Sequence, residues 1–239
     1  VNRVGGDVPY LADFLKNYEV GWKTQWLGNT LRWNGSLFLE NWNNFQFSFL
    51  GENSVTIIRN GGNARIKGVE TSVDWLPVNG LLLSTNFTFL DPVLTQNYYG
   101  CIPGTPQCTP LPPVETPAGT NLPVTPKFKG NFIARYTFPL NGNWKPYAQL
   151  SAMYQTETSP VLLVSQDQVL GNMPPYALIN LKFGANAANG MHVDLLIDNA
   201  LNRRAQLSRY TESNPSMDSQ VYVLTAQPRT FGIEFGQDF

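Results

Sequence analysis

Few residues in this chain have the type and spacing needed for covalent chemistry. The two cysteines, Cys101 and Cys108, stand close together in "CIPGTPQC", within a stretch dense in Pro, Thr and Gly. Such a pair is most simply a local disulfide in an oxidising compartment, with two free thiols as the alternative. No CxxC pair and no Cys/His cluster occurs, so nothing has the spacing of a metal site. His192 is the single histidine and sits beside the turn "NAANG", where it reads as an ordinary wall or turn residue. There is no GxSxG, no HExxH and no phosphate-cradling glycine loop. The sequence therefore reads as a non-enzyme that implies no cofactor.

What remains is recognition. Tyr98 and Tyr99 lie just before Cys101; paired aromatics near a tethered loop suit a planar or sugar-like ligand, and loop packing is the competing explanation. Arg203, Arg204, Arg209 and Tyr210 fall where the penultimate strand should emerge. They could meet an anionic solute, lipopolysaccharide or bulk water. A second polar set comprises Glu19, Lys23, Arg32, Glu70, Ser72, Asp74, Arg135 and Lys182. These lie on the polar faces of strands, and the charged ones are expected to pair with each other or with whatever fills the interior.

Strands must position these groups, because period-two alternation recurs along the chain. Residues 17–27 place Tyr18, Val20, Trp22, Thr24 and Trp26 on one face. "LRWNGSLFLENW" follows the turn "GNT" and is expected to run on through Phe45 and Phe47 to a loop near Gly51–Ser54. "VTIIRNGGNARIKGVETSVDW" returns, with a bulge expected at Gly61-Gly62. Further alternating runs begin at Leu81, Phe128, Trp144, Ala177 and Met191, and the last is "RTFGIEFGQDF". Only "YLADFLKNYE" could make a turn or two of helix. The count is about nine strands, joined alternately by tight Gly/Asn/Pro turns and by long irregular segments. Trp26, Trp75 and Trp144 flank the tight turns.

Composition bounds the surroundings. The 239 residues are 42% hydrophobic, 13% aromatic and 14% charged, with net charge −1. About a quarter of a soluble domain is charged, so charge is scarce here. Near-neutrality gives no reason to expect nucleic acid as a partner. No apolar run approaches the roughly 18 residues of a membrane-spanning helix. A soluble sandwich also alternates, with its apolar face inward. Three features favour a membrane barrel instead: polar faces rich in Asn, Gln, Ser and Thr, aromatic girdles beside one set of turns, and short turns at one end opposite long loops at the other. Backbone polar groups in hydrocarbon must be satisfied internally, which demands a closed barrel. Nine is an odd number, and the chain opens at Val1 with neither an initiator Met nor a signal peptide. We therefore expect an incomplete C-terminal set of strands from a larger antiparallel transmembrane β-barrel, covering residues 1–239.

The stretches "NYEVGWKTQW", "NARIKGVETSVDWLPVNGLLLSTNFTFLD", "YALINLKFG", "HVDLLIDNALN" and "PRTFGIEFGQDF" resemble, in this order, the C-terminal barrel half of TonB-dependent outer-membrane receptors. The resemblance covers most of residues 17–239. It implies a 22-stranded barrel in the outer membrane of a Gram-negative bacterium, filled by an N-terminal plug that carries the TonB-binding box. Cargo in this family includes iron–siderophore complexes, haem, cobalamin and some oligosaccharides. The last strand, with Phe231, Ile233, Phe235 and Phe239 alternating, resembles the signal read by the barrel-assembly machinery. It departs from that signal at Gln237, where an aromatic is commoner. Within this frame Glu70, Ser72, Asp74, Arg135 and Lys182 face the lumen, and Val69, Thr71 and Val73 face lipid. Trp75 marks the periplasmic girdle, and Arg65 and Lys67 stand near the outer end, within reach of lipopolysaccharide phosphates. A passive porin and a soluble β-domain binding carbohydrate or protein are the alternatives.

Overall fold

The computed structural model describes residues 10–50, 56–101, 104, 108–211 and 220–237. The strands are β1 (Phe14–Trp26), β2 (Leu31–Asn43), β3 (Gln46–Leu50), β4 (Thr56–Asn60), β5 (Ala64–Trp75), β6 (Leu81–Leu94), β7 (Phe128–Thr137), β8 (Trp144–Gln155), β9 (Tyr176–Ala187), β10 (Met191–Asp198), β11 (Gln206–Thr211), β12 (Val221–Thr225) and β13 (Thr230–Gln237). One short helix, α1 (Val164–Leu170), lies between β8 and β9. Nine strands form one antiparallel sheet in the order β1-β2-β5-β6-β7-β8-β9-β10-β13. Among the described residues β1 and β13 each leave one edge unpaired.

Tight turns join neighbours at one end of this meander, and every long connection lies at the other. Cross-strand rows then separate the two faces. Leu37, Val69 and Phe89 stand side by side on the apolar face, and Ser36, Glu70 and Thr88 on the polar face one position away. The apolar side chains are open even in the middle of the sheet: Leu37 is 53% exposed and Phe183 46%. A continuous apolar surface of this extent requires an apolar partner.

Threonine hydroxyls on this face are satisfied within the wall itself. On the apolar face, the hydroxyls of Thr24, Thr71 and Thr85 donate to the carbonyls of Trp33, Asn34 and Asn131 on neighbouring strands, at 2.6, 2.9 and 2.9 Å. Thr71 also accepts from Trp33 Nε1 at 2.8 Å. A hydroxyl facing hydrocarbon finds no water, so bonding back to the wall removes its desolvation cost. The tryptophans Trp26, Trp75 and Trp144 ring the turn end of the same face, half exposed.

The buried cores sit elsewhere, over the polar face at the loop end. Phe45, Ala64, Leu94, Leu122 and Leu162 form one cluster, with Trp42, Phe47 and Ile66 packed against it. Tyr176, Ala205 and Ala226 form a second, against Met153 and Leu178. Ala64, Leu94, Trp42, Ile66, Met153 and Leu178 all lie in polar-face rows, so the long connections fold inward over that face.

Five expectations about elements are corrected. The "YLADFLKNYE" segment has no helix, and β1 begins at Phe14. β2 does not run through Phe45. It stops at Asn43, Asn44 takes φ +53°, and Phe45 turns into the core, so β3 and β4 pair only with each other. A full break replaces the expected bulge: Phe45 occupies the space a side chain on Gly61 would need, and Gly62 takes φ +91°. The connection after β8 contains α1, and the stretch after β10 contains the β11–β12 hairpin. Each element carries few residues and a weak period, which local pattern alone does not resolve. The loop expected at Gly51–Ser54 and the terminal Phe239 lie outside the described residues.

Candidate functional site

The polar face carries two groups of charge. Near the turn end, five strands bring together Arg135 (β7), Tyr147 (β8), Lys182 (β9), Asp194 (β10) and Glu234 (β13). The Arg135 guanidinium lies 3.6 Å above the centre of the Tyr147 ring, a cation–π contact. The Tyr147 hydroxyl donates to Asp194 Oδ1 at 2.5 Å, and Lys182 Nζ stands 2.6 Å from Asp194 Oδ2 and 3.6 Å from Glu234 Oε2. Asp194 is 3% exposed, so both its oxygens are spoken for, as a buried carboxylate requires. Gly184 makes the approach possible, because a Cβ there would collide with Asp194 Oδ1 and sit 2.8 Å from the Tyr147 ring.

Closer to β1, an open depression of about 610 Å³ is lined by Glu19, Lys23, Glu70, Ser72 and other polar residues. Glu70 pairs in register with Ser36, and Ser72 with Asn34 and Asn86. Asp74 Oδ1 accepts from the Ser84 hydroxyl at 2.6 Å. Glu70, Ser72, Asp74, Arg135 and Lys182 thus share one face, as the alternation predicts. His192 lies against Gly236 near the turn end, remote from the loops.

At the loop end the connections interlock. Tyr98 packs edge-on against Phe47 at 5.3 Å, and Arg59 Nη1 donates to Gly100 O at 3.0 Å. The fully buried Thr116 donates to Leu162 O at 3.1 Å, and Val124 N to Ser159 O at 2.8 Å. Arg209 Nη1 donates to Leu170 O at 2.6 Å, closing the end of α1. β3–β4, the β6–β7 connection, the α1 segment and the β11–β12 hairpin therefore touch in sequence around the mouth. Cys101 and Cys108 are bonded to each other within this assembly.

The tyrosine pair divides. Tyr98 is 3% exposed and is a packing residue of the loops, correcting its reading as a ligand contact. Burial, then the nearby Glu115 carboxylate, push its phenol up to about 12, with Arg59 opposing. Its hydroxyl makes no well-formed hydrogen bond. Burial also raises Glu115, with Arg59 again opposing. Tyr99 remains half-buried at the surface. Arg203 and Arg204 are exposed, on a loop held by the buried Asn199, whose Nδ2 donates to Arg203 O at 2.9 Å and to Gln227 O at 2.7 Å. Arg209 is engaged with Gln206 and Leu170. Tyr210 is open and stacked on Tyr222 at 5.6 Å. Arg65 and Lys67 lie on the apolar face at the outer end of β5, where Arg65 stands 3.9 Å from Asp91.

Sequence reasoning did not single out Tyr147, Asp194, Glu234, Arg59, Glu115 or Asn199. The first three become a site only once register is known. Arg59 and Glu115 meet across loops that no local pattern relates.

An antiparallel wall with an apolar girdled face, a polar charged face and inward-folded loops at one end is the wall of an outer-membrane β-barrel. Residues 11–200 match the family described as TonB dependent receptor-like, beta-barrel, and the chain belongs to that family. It is a protein of the Gram-negative outer membrane, from a family of receptors and transporters rather than enzymes. Among solved structures, the ferric yersiniabactin uptake receptor FyuA from Yersinia pestis superposes with a TM-score of 0.72 at 18% identity, over 100% of this chain and 32% of that one. The siderophore receptor PiuA from Acinetobacter baumannii gives 0.64 at 19% identity over 92% of this chain and 27% of that one. The ferric citrate transporter FecA gives 0.62 at 18% identity, over 92% and 30%. The chain thus spans about a third of the length of these receptors, and at such identities the likeness concerns the fold. No curated protein sequence matches it.

Proposed function

We propose that residues 1–239 are the C-terminal part of the barrel domain of an energised receptor that imports a scarce, large solute, most simply a ferric siderophore. Thirteen further strands would close the wall at 22, and an N-terminal plug would fill the lumen and be pulled by TonB. The observation that carries this reading is the pairing of an apolar, girdled face with a polar face over which the loops fold. The proteins similar in fold include receptors for ferric yersiniabactin and ferric citrate, which favours an iron chelate as cargo. Tyr99, Arg203, Arg204 and Tyr210 are the loop residues placed to meet an anionic chelate. On the membrane side, Lys67 and Arg65 are placed for lipopolysaccharide phosphates. Phe231, Ile233 and Phe235, with Phe239, would present the last strand to the assembly machinery.

Uptake of radiolabelled ferric siderophores by cells expressing the full-length receptor tests this. Accumulation should require TonB and a proton gradient. Passage of small solutes independent of TonB would instead establish a passive porin.

A further inference from the structure

The β11–β12 hairpin has one face occupied and one open. Tyr210 pairs in register with Tyr222, and Ser208 with Leu224, so these four side chains share a face. Arg209 and Thr211 alternate to the other. That second face is seated: Arg209 Nη1 reaches Leu170 O on α1 at 2.6 Å, and Thr211 is buried. At the base, Ala226 N donates to Ala205 O at 2.8 Å, and both alanines pack against Tyr176 of β9. The first face turns away from α1. Leu224 is 57% exposed there and Tyr210 51%, and the rings of Tyr210 and Tyr222 lie 5.6 Å apart with 19° between their planes. Two stacked rings and a leucine, held open on an anchored base, have the chemistry of a contact surface: tyrosine gives a large apolar body and keeps a hydroxyl for the wet edge.

Topology identifies what arrives at this surface. β13 runs from the loop end at Thr230 to the turn end at Gln237, and its outer edge is unpaired among the described residues. Backbone groups at bilayer depth need partners, so a further strand must occupy that edge. In an antiparallel wall that strand runs the other way. It therefore reaches the loop end beside Thr230 and feeds a connection there, at the point where the hairpin leads into β13. Around the mouth each connection already leans on the next. Arg59 of β4 holds Gly100 of the β6–β7 connection, Thr116 of that connection holds Leu162 ahead of α1, and Arg209 of the hairpin holds Leu170. The hairpin is the last member of this chain of contacts, and its open face is the side left for the next connection.

We propose that the face of Tyr210, Tyr222 and Leu224 is the seat of the extracellular connection that follows the strand paired with β13, a segment of the full-length receptor meeting it with aliphatic or aromatic side chains. The interlocked rim is thereby continued across the seam where the barrel closes. Tyr210 is then shared between this seat and a solute in the mouth. The inference rests on the proposed closed barrel but not on its cargo.

The test uses the full-length receptor in outer membranes. Leu224→Cys is labelled with a benzophenone maleimide and irradiated, and the adducts are mapped by mass spectrometry; Cys101 and Cys108 are bonded to each other and do not take the label. Adducts should fall within the connection that follows the strand paired with β13. Tyr210→Ser combined with Leu224→Ser, which leaves the Arg209 face intact, should raise hydrogen exchange in that connection roughly tenfold, the equivalent of partly burying one side chain, with α1 unchanged. Adducts confined to a second copy of the receptor, to lipopolysaccharide or to other connections overturn the proposal, as does exchange untouched by the double substitution. Adducts at the expected connection in a receptor that takes up no ferric siderophore would retire the cargo reading alone. Absence of a compact band for the unlabelled receptor in unheated detergent gels would defeat the closed barrel and this seat with it.

Discussion

Tyr147 and Asp194 meet through hydroxyl and carboxylate across the glycine of an intervening strand, with Tyr147 on β8, Gly184 on β9 and Asp194 on β10. The contact is closed on its other side by Lys182, so Asp194 holds three strands to one another. Replacing it with alanine strands a tyrosine hydroxyl and leaves the Lys182 ammonium with the more distant Glu234. Asp194→Ala should cost about 2–4 kcal/mol of barrel stability, at or slightly below the usual cost of breaking a buried pair because Glu234 remains. Urea unfolding of the refolded full-length barrel in lipid measures it. Combined with Lys182→Met, the loss should fall well short of the sum of the single losses.

Leu150 and Ser151 are neighbours in mid-β8 that face opposite ways, Leu150 aligned with Leu181 and Ser151 with Asn180. An arginine at Leu150 should destabilise the barrel by about 2–4 kcal/mol, the cost near the bilayer midplane, whereas lumenal substitutions alter selectivity instead. Arginine at Ser151 should leave stability within about 1 kcal/mol. Reversible unfolding in vesicles compares the two, and a larger loss at Ser151 than at Leu150 would overturn the assignment of the two faces.

Tyr98 supplies an alkaline signature. Its phenol is raised from 10.0 to about 12 in the folded loops, so the neutral form is the one the fold prefers. That contribution is complete below pH 10 and is lost as pH rises from 10 through 12. Protease nicking of the β6–β7 connection should accelerate across that window. Tyr98→Phe should abolish the transition while changing loop stability by less than about 1 kcal/mol, because the hydroxyl makes no well-formed bond.

Arg209 ties the β11–β12 hairpin to the last carbonyl of α1 at 2.6 Å. Arg209→Ala should loosen that junction by about 1–2 kcal/mol. Hydrogen exchange should rise in α1 and in β11 together and remain unchanged in β1 and β2.

Legibility in the sequence followed the length of the pattern. Strands of twelve or more residues such as β2 and β5 declare their faces, because six alternations outweigh one exception. Glu70, Ser72 and Asp74 were assigned to one face on that ground, and the structure places them there. The breaks at Asn44 and Gly61-Gly62 were hidden because Phe45 continues the apolar period while serving a different core. Nothing in the local pattern marks Asp194. Its partner Lys182 lies on another strand, so only the register reveals the pair. Tyr98 looked available because an aromatic beside a proline-rich loop carries no local sign of what will cover it. In this chain, Phe47 comes from a hairpin some fifty residues earlier.

The interlocked loops also bear on the timing of capture. Four connections already touch one another, so a solute arriving on this side of the mouth would meet a finished surface and need order little of it. Binding to such a surface loses little entropy on contact, and differences among solutes should then appear chiefly in how long each stays. This part of the rim would act as a fixed jamb, against which a movable door would have to close from the opposite side.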